Sequence, residues 1–116
     1  MLEGMSSDCL FCKIADGAIP AKKVFEDELA FAIQDIKPQG PVHLLVIPKK
    51  HVRSLAEEKD MALLGHLLDA ARNVAAEQKL SEGYRVVINT GPHGGQTVDH
   101  LHLHVIGGRP MHWPPG

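Results

Sequence analysis

The sequence predicts an α+β fold in which an antiparallel sheet carries packed helices. Three observations predict it: several short β-type runs joined by tight connections, one long stretch with helical periodicity between them, and the element order α-β-β-β-α-β-β. The chain has 116 residues, enough for one core, and we expect a single domain over 1–116 with no internal repeat or linker.

Residues 1–7 lack periodicity and read as a loose tail. Asp8 is placed to N-cap a short helix from Cys9 to about Asp16, with Leu10, Phe11 and Ile14 as its apolar positions and Gly17 as its stop. Lys23–Glu26 and Leu29–Ile33 read as strands around Asp27-Glu28, followed by a loop over Asp35–Pro41. Val42–Pro48 is an almost unbroken apolar run, the pattern of a strand covered on both faces, yet it contains His43. From about Ser54 to Leu80, Met61, Leu64, Leu67, Leu68, Ala71, Val74 and Ala75 recur at three- and four-residue steps and mark the long helix. Tyr84–Asn89 reads as a strand, residues 90–95 as a glycine-rich connection, and Thr97–Ile106 as the last strand, stopped by Gly107-Gly108.

Composition excludes several function classes. An apolar fraction of 44% and a charged fraction of 22% are ordinary for a globular protein. A net charge of −2 with no clustered Lys and Arg beyond Lys49-Lys50 speaks against a nucleic-acid-binding face. No apolar run is long enough to span a bilayer and the amino terminus does not read as a secretory signal, so a cytoplasmic location is expected. With only Cys9 and Cys12, a disulfide scaffold is not indicated; in a reducing compartment this spacing points to metal or redox chemistry.

The unusual feature is histidine, with eight in the chain. On a strand, His100, His102 and His104 would share one face while Leu101, Leu103 and Val105 take the other. Three adjacent imidazoles stabilise a sheet poorly, because each brings ring nitrogens that need partners and protonation sets like charges side by side. Two chemistries use such a row. The rings can ligate a metal that activates water. Alternatively, a neutral imidazole can attack phosphorus while its neighbours steady the phosphate oxygens. The upstream Asn89 and Gly94-Gly95-Gln96-Thr97 favour phosphate, since a glycine-rich turn exposes N–H groups and Gln96 and Thr97 add donors. A non-catalytic nucleotide- or partner-binding module stays open as a third reading. His66 reads as surface or interface packing and His93 as a solvated loop tip.

The run His100-Leu-His-Leu-His-Val-Ile106 resembles the H-φ-H-φ-H-φ-φ signature of the histidine triad (HIT) family. The likeness extends through Phe11-Cys-Lys-Ile14, Ile19-Pro-Ala21, Asp35-Ile36, His43-Leu-Leu-Val-Ile-Pro-Lys-Lys-His51, Gly94-Gly-Gln96 and Gly107-Gly-Arg109. The ending Met111-His-Trp-Pro-Pro-Gly116 is similar to that of the HINT branch, purine nucleoside phosphoramidases.

The resemblance implies a homodimer of a HIT-like α+β fold, with a five-stranded antiparallel sheet, one long and one short helix per subunit, and a tail from 107 to 116 that contributes to the dimer and active site. It also implies hydrolysis of purine nucleoside 5′-phosphoramidates, of the adenosine 5′-monophosphoramidate type. His102 would attack the α-phosphorus to form a nucleotidyl-histidine, with His104 on the phosphate oxygens, His43 in support and His100 completing the triad. Asn89, Gly95, Gln96 and Thr97 would hold the phosphate, the last where many relatives carry Ser. Asp35 would bind the ribose, with Leu10, Phe11, Ile14, Ile33 and Ile36 around the base and His112 and Trp113 near the partner subunit's site. Some relatives with the cysteine pair use the equivalents of His51 and His100 as further ligands, implying a structural zinc on Cys9, Cys12, His51 and His100. No cofactor is required for the chemistry itself.

Overall fold

The structure, a computed structural model, describes residues 8–116, so the expected tail over 1–7 lies outside the described residues. Its elements run α1 (Leu10–Ala15), β1 (Lys23–Glu26), β2 (Ala30–Gln34), β3 (Val42–Pro48), a 3-10 turn (Leu55–Glu57), α2 (Met61–Glu77), β4 (Tyr84–Val87) and β5 (Leu103–Gly107). The five strands form one antiparallel sheet in the order β1-β2-β3-β5-β4. This is the expected α+β architecture.

The sheet has two dressed faces, and they do different work. On one, Leu44 and Val46 of β3, Ala30 and Ala32 of β2, and Leu103 and Val105 of β5 pack against Leu63, Leu67, Ala70, Ala71 and Val74 of α2. The alanines on both sides let the helix lie close to the strands. On the other face, Phe31, Ile33, Leu45 and Ile47 pack with Phe11 and Ile14 of α1. Strand β3, at the middle of the sheet, is therefore covered twice, as its unbroken apolar run predicts.

Several boundaries differ from the sequence reading, each for a local reason. The N-cap of α1 is Cys9, whose Sγ accepts from the Cys12 N–H at 3.3 Å, rather than Asp8. The long helix starts at Met61, because the Asp60 carboxylate accepts from the Ala62 and Leu63 N–H groups at 3.0 and 3.2 Å. Ser54 instead caps the short 3-10 turn before it. The helix stops at Glu77, and Lys79 turns the chain at φ 60°. Strand β2 starts at Ala30 rather than Leu29 and takes in Gln34, and β4 ends at Val87 rather than Asn89.

The largest difference concerns the last strand, which begins at Leu103 rather than Thr97. Its ladder with β3 ends at the Val46–Leu103 pair. Two residues further along β3 stands Pro48, which has no N–H to offer. Leu101 donates its N–H to the Val52 carbonyl at 2.8 Å instead, and residues 97–102 leave the sheet. Leu101, Leu103 and Val105 still enter the α2 core together. The alternation argument thus holds for the leucine side, while His100 and His102 stand before the strand and only His104 lies within it.

Candidate active site and metal centre

Strand register brings His43 and His104 together. His43 pairs with Ile106 and Leu45 with His104, so the two imidazoles lie diagonally on the α1 side of the sheet. The His43 Nε2 and His104 Nδ1 are 2.8 Å apart. The Gln39 N–H donates to His43 Nδ1 at 3.0 Å, so that nitrogen is bare and the ring hydrogen is on Nε2. His43 therefore donates to His104 Nδ1, which leaves the His104 hydrogen on Nε2. Asp35 joins the pair: its Oδ2 lies 3.4 Å from His43 Nε2, while its Oδ1 accepts from the Lys37 N–H at 2.8 Å. Burial lowers the pKa of His43 despite the Asp35 charge. Burial, then His102 and His43, push His104 down to about 4, so it is neutral at neutral pH.

His102 is fixed differently. Its Nδ1–H donates to the His100 carbonyl at 2.7 Å, since a carbonyl only accepts, so in the neutral ring the lone pair is on Nε2. Its ring lies edge-on to Phe11 at 5.2 Å and to His104 at 5.1 Å between centroids. In their neutral forms a ring-nitrogen lone pair and an N–H donor thus occupy neighbouring rings.

Both rings open into a cleft of about 810 Å³, walled by Leu10, Phe11 and Ile14 of α1, Ile33, Asp35 and Ile36 of the β2 end, and Thr97. The volume falls in the range of small-molecule sites. Ile36 is 92% exposed and Leu10 48%, forming an apolar rim. The sequence reading missed Lys22 and Lys37, which also line the cleft; isolated surface lysines carry no pattern that marks them in advance.

Other expected site residues stand back from the cleft. Asn89 Nδ2 donates to the Gly94 carbonyl at 2.7 Å. Gln96 braces the loop, its Oε1 accepting from the Gly91 N–H and its Nε2 donating to the Arg53 and Val98 carbonyls. Gly94 is required here: a Cβ would lie 2.4 Å from the Thr90 carbonyl oxygen, and Gly95 follows at φ +79°. Trp113 is 82% exposed and outside the cleft of its own chain. Nearby, His112 accepts at its carbonyl from Arg85 Nη2 at 2.8 Å.

His100 faces away from this chemistry. It is fully buried, its Nε2–H donates to the Pro48 carbonyl at 2.8 Å, and its bare Nδ1 points at a cluster formed by Cys9, Cys12 and His51. Its Nδ1 lies 3.2 Å from Cys9 Sγ, 3.6 Å from Cys12 Sγ and 3.2 Å from His51 Nδ1, and Cys12 Sγ lies 3.1 Å from His51 Nδ1. A zinc ion with ordinary Zn–S and Zn–N bonds spaces its tetrahedral ligands about 3.3–3.7 Å apart. The cluster has the donor chemistry of such a site, and its spacings of 3.1–3.6 Å run from slightly inside that range to within it, so a small outward shift of the ligands would seat the ion. Without a cation, burial and the neighbouring Cys9 push the Cys12 thiol up to about 12; a coordinated cation reverses that preference. The four residues have the make-up of a tetrahedral zinc site.

Comparison with known proteins agrees with this anatomy. Residues 16–111 match the HIT domain. An uncharacterized HIT-like protein of Synechococcus elongatus is 55% identical over 114 residues, covering 97% of this chain and all of that one. The crystal structure of a HIT family hydrolase from Legionella pneumophila superposes with a TM-score of 0.90 at 53% identity, over 94% of this chain and 100% of that chain. A histidine triad nucleotide-binding protein from Candida albicans matches with a TM-score of 0.80 at 33% identity, over 92% and 83% of the two chains. A zinc-bound histidine triad family protein from Mycobacterium smegmatis matches with a TM-score of 0.80 at 35% identity, over 88% and 76%. With its fold, histidine row and nearly full-length likeness in agreement, this chain belongs to the HIT family.

Proposed function

We propose that this HIT hydrolase cleaves purine nucleoside 5′-phosphoramidates through a nucleotidyl-histidine intermediate, as a HINT-type enzyme. The observation that carries the proposal is the pairing of a bare His102 Nε2 with the His104 Nε2–H at one cleft. In this reading the His102 lone pair forms a bond to the α-phosphorus. The P–N bond breaks, its electron pair goes to the leaving nitrogen, and that nitrogen takes a proton from solvent and departs as an amine. The His102 ring becomes cationic, and its Nδ1–H remains on the His100 carbonyl. Water then attacks phosphorus, the N–P pair returns to His102, and one proton is released to solvent, which balances the proton consumed.

His104 is neutral, so it acts as a hydrogen-bond donor to the phosphoryl oxygens rather than as an acid. Thr97 and the Asn89, Gly95 and Gln96 loop support the phosphate, the last three chiefly through loop shape. Asp35 takes the ribose hydroxyls. Leu10, Phe11, Ile14, Ile33 and Ile36 enclose the base, and the apolar rim suits a purine's flat area. A homodimer would carry Trp113 and His112 to the partner's cleft, consistent with the exposure of Trp113.

Cys9, Cys12, His51 and His100 would hold a structural zinc. Held by these four residues, zinc would tie α1 to the His100 segment, and a complete set of protein ligands would leave no position for a reacting water. The cysteine pair suits a reducing, cytoplasmic setting.

The test is rapid quench with α-labelled adenosine 5′-phosphoramidate. We expect acid-labile, base-stable label on His102 in the wild type, before and after chelator treatment. The variant His102→Gln should lose labelling and fall in kcat on the order of 10⁴-fold while retaining nucleotide binding. Rapid turnover by that variant, or label dependent on metal, would refute the covalent mechanism.

A further inference from the structure

Asp35 has a geometry that ribose binding does not require. Its backbone N–H donates to the His43 carbonyl at 2.9 Å, so the carboxylate is anchored to β3 beside the ring it faces. The Oδ2 atom, 3.4 Å from His43 Nε2, sits at the same edge of that ring as His104 Nδ1. Asp35 lines both the large cleft and a separate cavity of about 130 Å³ that His43 also borders. The His43 side chain is 3% exposed and that of Asp35 20%, so water screens the contact weakly.

We propose that Asp35 is a positioning residue that acts through His43 to keep the ring hydrogen of His104 on Nε2, the nitrogen offered to the phosphoryl oxygens. A carboxylate is purely an acceptor, so its charge beside His43 Nε2 favours a hydrogen there and opposes a lone pair. With the Gln39 N–H demanding a bare Nδ1, the two contacts enforce one tautomer from opposite edges of the ring. His43 then donates to His104 Nδ1, and His104 has one remaining place for its own hydrogen. The oriented carboxylate of a Ser-His-Asp triad follows the same logic, extended here by one imidazole.

A metal shared by Asp35, His43 and His104 explains the cluster less well. Two imidazole nitrogens on one ion stand about 3.3 Å apart, whereas these are 2.8 Å apart, a hydrogen-bond distance.

The kinetic part of the test rests on the phosphoramidase reading; the spectroscopic part does not. Asp35→Asn keeps an oxygen for the Lys37 N–H but can turn an N–H donor toward His43 Nε2, which conflicts with the tautomer. Long-range ¹⁵N–¹H correlation on histidine-labelled wild type should show His43 and His104 each protonated at Nε2 and bare at Nδ1. The variant should show a mixture at both rings while melting near the wild-type temperature. A wild-type His104 protonated at Nδ1, or tautomers unchanged in the variant, overturns the proposal.

In parallel, adenosine 5′-phosphoramidate and its 2′,3′-dideoxy analogue are compared. We expect Asp35→Asn to lower kcat at least about tenfold on both substrates, with a KM rise confined to the ribose-bearing one. A carboxylate that serves ribose alone would leave variant and wild type equal on the dideoxy substrate, and that result also overturns the proposal. Should the wild type turn over neither compound, the phosphoramidase reading fails and the ring tautomers alone decide the role of Asp35.

Discussion

His100 and His104 lie four residues apart on one short stretch, the first fully buried and the second partly, and both are pressed to a pKa of about 4. Burial is the leading cause for each, yet their surroundings suit them to the opposite uses proposed above. Around His100 stand two thiols and a second imidazole, a donor set closing on a point. Around His104 stand an imidazole and a carboxylate that use up Nδ1 and leave Nε2 facing an open cleft. The comparison teaches that a depressed histidine pKa shows only that the ring stays neutral; its hydrogen-bond partners determine whether neutrality serves a metal or a phosphate.

The largest expected effect that would break this division comes from the metal side. Stripping the protein with a strong chelator, or substituting Cys12→Ser, should lower Tm by on the order of 10 °C or more, because ligand binding at such a site is folding free energy. The fraction still folded should keep most of its labelling at His102. An unchanged Tm by scanning calorimetry would place His100 outside any structural metal centre.

A smaller effect is expected with pH. The pKa of His104 is about 4 in the folded chain and near the ordinary 6.5 in the unfolded one. The unfolded state therefore binds the extra proton over that interval. The contribution is complete above pH 6.5 and is lost as pH falls toward 4. His43, His102 and Asp35 face this ring and shape the same interval. His104→Asn should flatten the dependence of Tm on pH between 6.5 and 4; a variant curve parallel to the wild type would mean that His104 is readily protonated in the fold.

The smallest effect supplies a control outside both clusters. His66 Nε2 lies 2.7 Å from Asp27 Oδ2, joining α2 to the β1–β2 turn, with both side chains about one-third exposed. His66→Ala should cost below about 1 kcal/mol, less than about 8 °C in Tm, and leave kcat unchanged. A large kcat loss there would show that imidazole–carboxylate contacts anywhere in this fold reach the cleft.

Much of this was legible in the residues. The almost unbroken apolar run Val42–Pro48 announced a strand covered on both sides, and His43 within it announced a polar task, since an apolar core gives such a ring no partner. The helical period located α2, although a choice between Ser54 and Asp60 as its cap depends on which carboxylate or hydroxyl meets free N–H groups in three dimensions. The histidine row was only half legible. Its alternation assumes a continuous ladder, and the ladder ends where Pro48 lies on the neighbouring strand, a fact of pairing and not of either segment alone. The Asp35 contact with His43 was hidden for the same reason, because a loop carboxylate acquires its neighbour through β3 register.

Helix α1 has six residues and two of the buried ones, Phe11 and Ile14, form the cleft wall. A segment that short does not persist in water on its own. It holds its shape because Cys9 and Cys12 sit at its start and its apolar side rests on the sheet. In the proposed reading, recognition of the base is therefore tied to assembly: the surface that would select it comes into being only as the sheet, and a metal on the thiols where one binds, capture one short turn of chain. In amide exchange, that turn should be among the first parts to open and its loss should erase selectivity before the sheet itself gives way.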